Sequence, residues 1–136
     1  MKTRSTIDYK GAKTVNICLI HKIGYPHTEA FREAAERVEE ECRRRHICCK
    51  ITSSEDKEVD LNIIFGSHIK PQQVYEFNQD KSLIINLERL EAINESNKNS
   101  SYMKLLDRFK FIDFCSSNVK YCQENRVQTP EYLYRP

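Results

Sequence analysis

The chain has 136 residues, 39% of them hydrophobic and 31% charged, with a formal net charge of +2. That length suits one domain with a single core, and the apolar runs exclude a disordered chain. Charge so near balance gives no footprint for nucleic acid, no stretch approaches the ~20 apolar residues of a membrane span, and no secretory signal opens the sequence, so a cytoplasmic location is expected.

Residues 1–13 carry Lys2, Arg4, Lys10 and Lys13 against Asp8 and read as a flexible, solvated leader, with a weak phosphate-binding arm as the alternative. Val15 to Ile20 is a nearly continuous apolar run, the pattern of a parallel strand covered on both faces. It closes on His21 to His27, a loop punctuated by Gly24 and Pro26. Thr28 is a candidate N-cap for a helix whose apolar stripe is Phe31, Ala34, Ala35, Val38 and Cys42. The opposite face, from Arg32 to Arg44, is charge-dense, with Glu33–Arg37 and Glu40–Arg44 at i,i+4. His46 to Thr52 reads as a second strand, 53–58 as a polar connection, and Val59 to Phe65 as a third strand closing on Gly66-Ser67-His68.

Pro71 suits a first helical turn, with Val74, Tyr75 and Phe77 supplying an apolar side. Leu83 to Leu87 is a fourth strand and runs into Glu88. Asn94 to Ser101 lacks packing residues and is the best candidate for a mobile loop. A helix with Met103, Leu105, Leu106 and Phe109 follows, then a short strand from Phe111 to Phe114. Ser116 or Ser117 is placed to cap another helix bearing Val119 and Cys122, and Val127 to begin a last strand. Residues 130–136 are aromatic and read as a tail or linker, which leaves 14–129 as the domain. Strands alternating with helices imply an α/β fold, a single Rossmann-like three-layer domain with a mainly parallel sheet of five to six strands and helices on both faces.

The six cysteines fall on strands or helical faces and include no C-x-x-C pair, so they read as buried free thiols, with no metal site. The glycine signatures of dinucleotide and NTPase phosphate loops, the G-x-S-x-G elbow and H-E-x-x-H are all missing. His21-Lys22 stands where a receiver domain needs acidic residues.

In open parallel sheets ligands bind beyond the carboxyl ends of the strands. Those ends here carry His21 to His27, then Gly66-Ser67-His68, then Asn86 to Arg89, then Cys115 to Asn118. His21 and His68 are candidate catalytic residues, because imidazole exchanges protons near neutral pH. Gly66, Ser67, Glu88, Ser116 and Asn118 are candidate substrate-binding residues. Each has a structural role open to it as well: a tight turn at Gly66-Ser67, a loop tether at Glu88, helix capping at Ser116 to Asn118. The Ser116 helix start could also take the phosphate of a small nucleotide.

Ser82-Leu83-Ile84-Ile85-Asn86-Leu87-Glu88-Arg89-Leu90, the helix start Tyr102-Met103-Lys104-Leu105-Leu106, Asp113-Phe114-Cys115-Ser116-Ser117-Asn118 and the closing Tyr134-Arg135-Pro136 occur in an order and spacing that resemble the N-terminal domain of some bacterial GT-B glycosyltransferases. The resemblance covers residues 60–136, and Cys115 departs from it where the pattern favours Ser. It implies an acceptor-binding domain that forms one wall of a sugar-transfer cleft in polysaccharide biosynthesis. His21 would be the base, with His68 and Glu88 orienting the acceptor hydroxyl. No cofactor would be bound by this chain; the donor, a nucleotide sugar, would sit on a second domain or partner chain, without which the chain would be inactive. The alternative is a non-catalytic interaction or scaffold module of the same fold, docking or self-associating through Tyr132, Leu133 and Tyr134 in the 130–136 tail.

Overall fold

The computed structural model describes residues 11–21, 28–92, 100–130 and 132–133. Most of the expected leader, the 22–27 loop with His27, the polar stretch 93–99 and residues 134–136 lie outside the described residues. The elements are β1 (Thr14–Leu19), α1 (Thr28–Arg44), β2 (Cys48–Thr52), β3 (Leu61–Phe65), α2 (Pro71–Tyr75), β4 (Ser82–Asn86), α3 (Ser100–Arg108), β5 (Phe111–Asp113), α4 (Ser116–Glu124) and β6 (Tyr132–Leu133). A 3-10 turn at Gln79–Lys81 leads into β4.

All strand pairs are parallel, in the order β2-β1-β3-β4-β5-β6. This is the doubly wound α/β architecture the alternating pattern implies. Three boundaries differ from the sequence reading. β2 begins at Cys48 rather than His46, β3 at Leu61 rather than Val59, and the last strand is Tyr132–Leu133 rather than a run from Val127. The segment 130–136, read above as a tail or linker, thus supplies the edge strand of the sheet, paired Ile112↔Tyr132 and Asp113↔Leu133.

Alternation along the strands divides the core in two. Val15, Ile17, Leu19, Leu61, Phe65 and Leu83 face α1 and pack on its Phe31, Ala35 and Cys42. Cys18, Ile20, Ile64, Ile84 and Phe111 face the other way, onto Val74, Phe77, Tyr102, Leu105, Leu106, Phe109 and Cys122 of the α2, α3 and α4 layer. Side chains such as Ile17, Ile20, Ile64 and Ile84 are fully enclosed, and each contributes about 1.5–3 kcal/mol through burial. The layers are unequal: among the described residues α1 alone packs on the first face, so Ile85 and Ile112 are only partly covered and Phe114 is 42% exposed.

The β2–β3 connection contains no helix, and buried polar side chains take its place. Asn16 and Asn62, adjacent in register on β1 and β3, are fully buried in otherwise apolar strands. Asn16 Nδ2 donates to Ser54 O and Asn62 Oδ1, both at 2.9 Å, while Thr52 Oγ1 donates to Asn16 Oδ1 at 2.7 Å. Asn62 accepts from the Asp56 amide at 3.0 Å and returns Nδ2 to Asp56 O at 2.9 Å. The loop's polar backbone, which would be costly against an apolar sheet face, is satisfied group by group.

Two helices end alike. His46 (φ 59°) follows α1 and Arg126 (φ 57°) follows α4. In each case paired bonds, Ile47 N to Cys42 O with His46 N to Arg43 O, and Val127 N to Cys122 O with Arg126 N to Gln123 O, close a Schellman turn. His46 is therefore spent on stopping the helix, which is why the strand starts later than its sequence pattern implied.

Asp60 fixes the start of β1, accepting from the amides of Lys13 at 2.9 Å and Thr14 at 3.2 Å. The Lys13 and Thr14 amides hold its carboxyl below the ordinary value of 3.8. A carboxyl depressed in the folded state contributes its stability in full above 3.8, and loses it as pH falls through the lower folded value. Asp60→Asn should therefore lower the thermal midpoint at neutral pH, with the gap from wild type closing below pH 3.8. A gap that stays constant in acid would show that the carboxylate charge is not what ties β1.

Candidate functional site

Chain connections leave β1 toward β2 on one side and β3 toward β4 on the other, so the sheet reverses its winding between β1 and β3. Crevices of doubly wound sheets open beyond the carboxyl ends at such a point. The residues arriving there are His21 after β1 and Gly66-Ser67-His68 after β3, with Glu88 after β4 alongside.

Gly66 is placed by backbone need. Its φ is +80°, and a Cβ there would stand 3.2 Å from Ile20 O and 3.3 Å from Ile69 Cδ1. The close approach lets β1 and β3 end together, with Ile20 N donating to Phe65 O at 3.0 Å. Ser67 is 1% exposed, and its Oγ is buried with no hydrogen-bond partner among the described residues. An orphaned buried hydroxyl costs stability and is uncommon outside functional sites.

His68 and Glu88 meet, Nε2 to Oε1 at 3.0 Å. The imidazole is held edge-on between Phe31 of α1, at 5.7 Å between centroids, and Tyr102 of α3, at 5.8 Å. Aromatic walls on two sides and a carboxylate on a third leave the ring little rotational choice.

The aim of Glu88 is set by a buried network that the sequence reading did not assemble. Asn86, at the end of β4, accepts from Tyr102 Oη at 2.7 Å and from the Glu88 amide at 3.3 Å. Its Nδ2 donates to Glu88 O and Asp113 Oδ2, both at 2.9 Å. Asn118 Nδ2 donates to Glu88 O at 2.8 Å and to both Asp113 oxygens at 3.0 and 3.1 Å, while its Oδ1 accepts from Leu90 N at 3.0 Å. Asp113 also takes the amides of Phe114 at 2.7 Å and Cys115 at 2.9 Å. Burial pushes the Tyr102 phenol well above its ordinary value, with Asp113 and Glu88 adding to the effect, so it remains an O–H donor.

The expected substrate-binding residues thus separate. Asn118 is 3% exposed with its amide engaged on both atoms, and acts on the site through the Glu88 backbone. Ser116 is exposed in the first turn of α4 but does not cap it; Cys115 holds the N-cap position without a side-chain cap. Cys115 Sγ lies 2.8 Å from Ser117 Oγ, and that contact, aided by backbone amides, lowers its thiol from the usual range.

His21 stands elsewhere on the edge. It lines a cavity of about 590 Å³ above the ends of β1 and β2, together with Leu19, Arg32, Ile51, Ser53 and Lys70. Arg32 had read as part of a solvated helix face, and Lys70 carried no signal beyond its place before Pro71. No periodic pattern could join positions on α1 and the β3–α2 loop. No group of three or more His, Cys, Asp or Glu side chains among the described residues is arranged to hold a metal ion, and no described helix is long and apolar enough to cross a membrane. Comparison with family models, curated proteins and solved structures gave no match.

The cysteines do not behave alike. Cys18, Cys42 and Cys122 are buried as expected, but Cys48 is exposed and Cys49 and Cys115 are intermediate. Cys48 lies on the edge strand β2 with its side chain exposed, and Cys115 lies at the start of α4. Burial pushes Cys18 up to about 12 and Cys122 up to about 11. A disulfide reagent near neutral pH should titrate Cys48 and Cys115 first, the half-buried Cys49 more slowly because burial pushes its thiol up to about 12, with Cys18, Cys42 and Cys122 meeting the reagent only as the chain unfolds; fast labelling of Cys18 or Cys122 would contradict the packing. Asn118→Ala should cost about 2–4 kcal/mol in chemical denaturation, because Asp113, Glu88 O and Leu90 N lose their partner in a buried setting. A loss under about 1 kcal/mol would mean that the network is not what holds the Glu88 turn.

Proposed function

We propose that this chain is the acceptor-side domain of a GT-B-type glycosyltransferase, working with a donor-binding domain or chain. The observation that carries the reading is the His68–Glu88 pair, fixed beside the winding reversal of the sheet by a buried network reaching from β4 to α4. A protein spends buried polar groups on such rigidity where a side chain must keep its aim. Ser67, buried next to His68 with no hydrogen-bond partner among the described residues, supports the same place as the site.

In this reading an acceptor lies along the carboxyl edge, oriented by His68 and Glu88 while one of its hydroxyls faces His21. His21 accepts its proton as the oxygen bonds to the anomeric carbon and the nucleotide diphosphate departs with the bonding electrons. The nucleotide sugar is held by the second domain or chain. The motifs from Ser82 to Leu90 and Asp113 to Asn118 support the assignment through the job they do here: they build the turn that presents Glu88.

A non-catalytic interaction module is the competing reading, favoured by one feature. A groove of about 680 Å³ runs between α1 and the thinly covered β4–β5 face, with Ala34, Val38, Phe65, Ile85, Ile112 and Phe114 along it. Of the docking anchors of that reading, Tyr132 and Leu133 form the edge strand β6, and Tyr134 lies outside the described residues.

Transfer from a radiolabelled nucleotide sugar separates the two. With the donor-binding partner added, His21→Ala should lower the rate by about 10²–10⁴-fold, and His68→Ala and Glu88→Gln should also lower it. Unchanged rates in the His21 variant would remove it as the base, and transfer by the chain alone would refute the division of labour.

A further inference from the structure

Cys42, near the end of α1, and Cys49, on β2, hydrogen-bond thiol to thiol. The turn between the two elements makes them meet. Schellman bonds to Cys42 O and Arg43 O reverse the chain, and Cys48 N then donates to Lys13 O at 3.0 Å, which starts β2 beside β1. The pleat sends Cys49 and Ile51 toward the α1 layer, while Cys48 points the other way and is exposed. The two thiols therefore belong to one cluster, and the exposed one next in sequence does not.

The pair sits where the core meets the surface. Cys42 is buried against Phe31 and Ala35, and Cys49 is half-buried on the edge strand. Two sulfurs already in hydrogen-bond contact need only close to about 2.05 Å to form a disulfide. The movement falls on the last turns of α1 and on an edge strand, and leaves the enclosed centre of the sheet in place. In a reducing compartment such a bond is transient and responds to oxidant.

We propose that Cys42 and Cys49 form a modification site, a dithiol that low-molecular-weight disulfides oxidise to an intrachain bond fastening α1 to β2. The site is independent of the sugar-transfer reading. Cys49, the more accessible of the two, gives up its proton and attacks one sulfur of the small disulfide. That S–S bond breaks, and the other half leaves as a thiolate that takes up the proton. Cys42 Sγ then attacks Cys49 Sγ, and the attached small thiol departs with the bonding electrons and the Cys42 proton. Two protein thiols are oxidised, and one small disulfide is reduced to two thiols. Burial pushes Cys49 up to about 12, which makes the first step slow. The second is fast because its nucleophile is already in contact.

Peptide mapping by mass spectrometry tests it, on the folded full chain treated with glutathione disulfide and then alkylated in denaturant. Cys48→Ser is the background, because Cys48 and Cys49 share the tryptic peptide 46–50. A link between peptides 38–43 and 46–50 is expected, reversed by dithiothreitol, with the thermal midpoint of the linked chain raised by roughly 5–10 °C. In the same background Cys42→Ala should stop at a lasting glutathione adduct on Cys49, and Cys49→Ser should leave Cys42 unmodified while the chain is folded. The proposal falls if Cys49 keeps its glutathione beside a free Cys42, if both thiols stay free, or if the link forms only in denaturant. A linked chain that melts below the reduced one also overturns it, since the bond would then strain the packing it is proposed to fasten.

Discussion

The carboxyl edge of this sheet is organised around one buried carboxylate. Asp113 is 1% exposed, and among the described residues its oxygens are filled by amide donors: two from the backbone that follows it, and the side chains of Asn86 and Asn118. Buried charge is tolerated only when its lone pairs are filled. Filling them here pulls three elements together, since Asn86 ends β4, Asp113 ends β5 and Asn118 opens α4. Both asparagines then spend their remaining capacity on the main chain of Glu88 and on Leu90, so the charge that closes the network also sets the turn that faces His68.

The amino edge solves a related problem with neutral groups. A direct β2–β3 crossing brings loop backbone against a sheet face, and Asn16 and Asn62 supply the partners that a helix would have made unnecessary. Asparagine is suited to this, having both donor and acceptor in one short planar group. The two polar centres leave the middle of the sheet to isoleucine and phenylalanine, so stability comes from the centre while its two edges set geometry.

The division of labour also explains why the α1 face can be thin. The polar fasteners all lie on the face covered by α2, α3 and α4, and β4 and β5 are anchored from there. The opposite face then needs only α1 over β1, β2 and β3, which leaves the Ile85, Ile112 and Phe114 surface partly open.

Most of the architecture was legible in the sequence because it rests on periodicity. Apolar runs at strand length, an amphipathic stripe from Phe31 to Cys42 and alternating element order need no knowledge of neighbours, and they led to the parallel sheet and to the strand ends as the place to look. What escaped was pairing at a distance. Asn16, Asn62 and Asn86 stood in plain view as polar residues inside apolar runs, a signal of buried hydrogen bonding that could have been taken up, but their partners are set by register and crossovers. Asn118 read as a ligand contact or a cap because its local sequence fits both, and only the position of Glu88 beside it decided for a tether. His46 fitted a strand until the end of α1 required a left-handed residue there. The sequence by itself determined most of the strands and helices, since side-chain spacing encodes them locally; the two-residue edge strand Tyr132–Leu133 is too short to carry such a pattern. Only the tertiary structure decided that His68 meets Glu88 while His21 joins Arg32 and Lys70, because those contacts depend on which strand ends lie side by side.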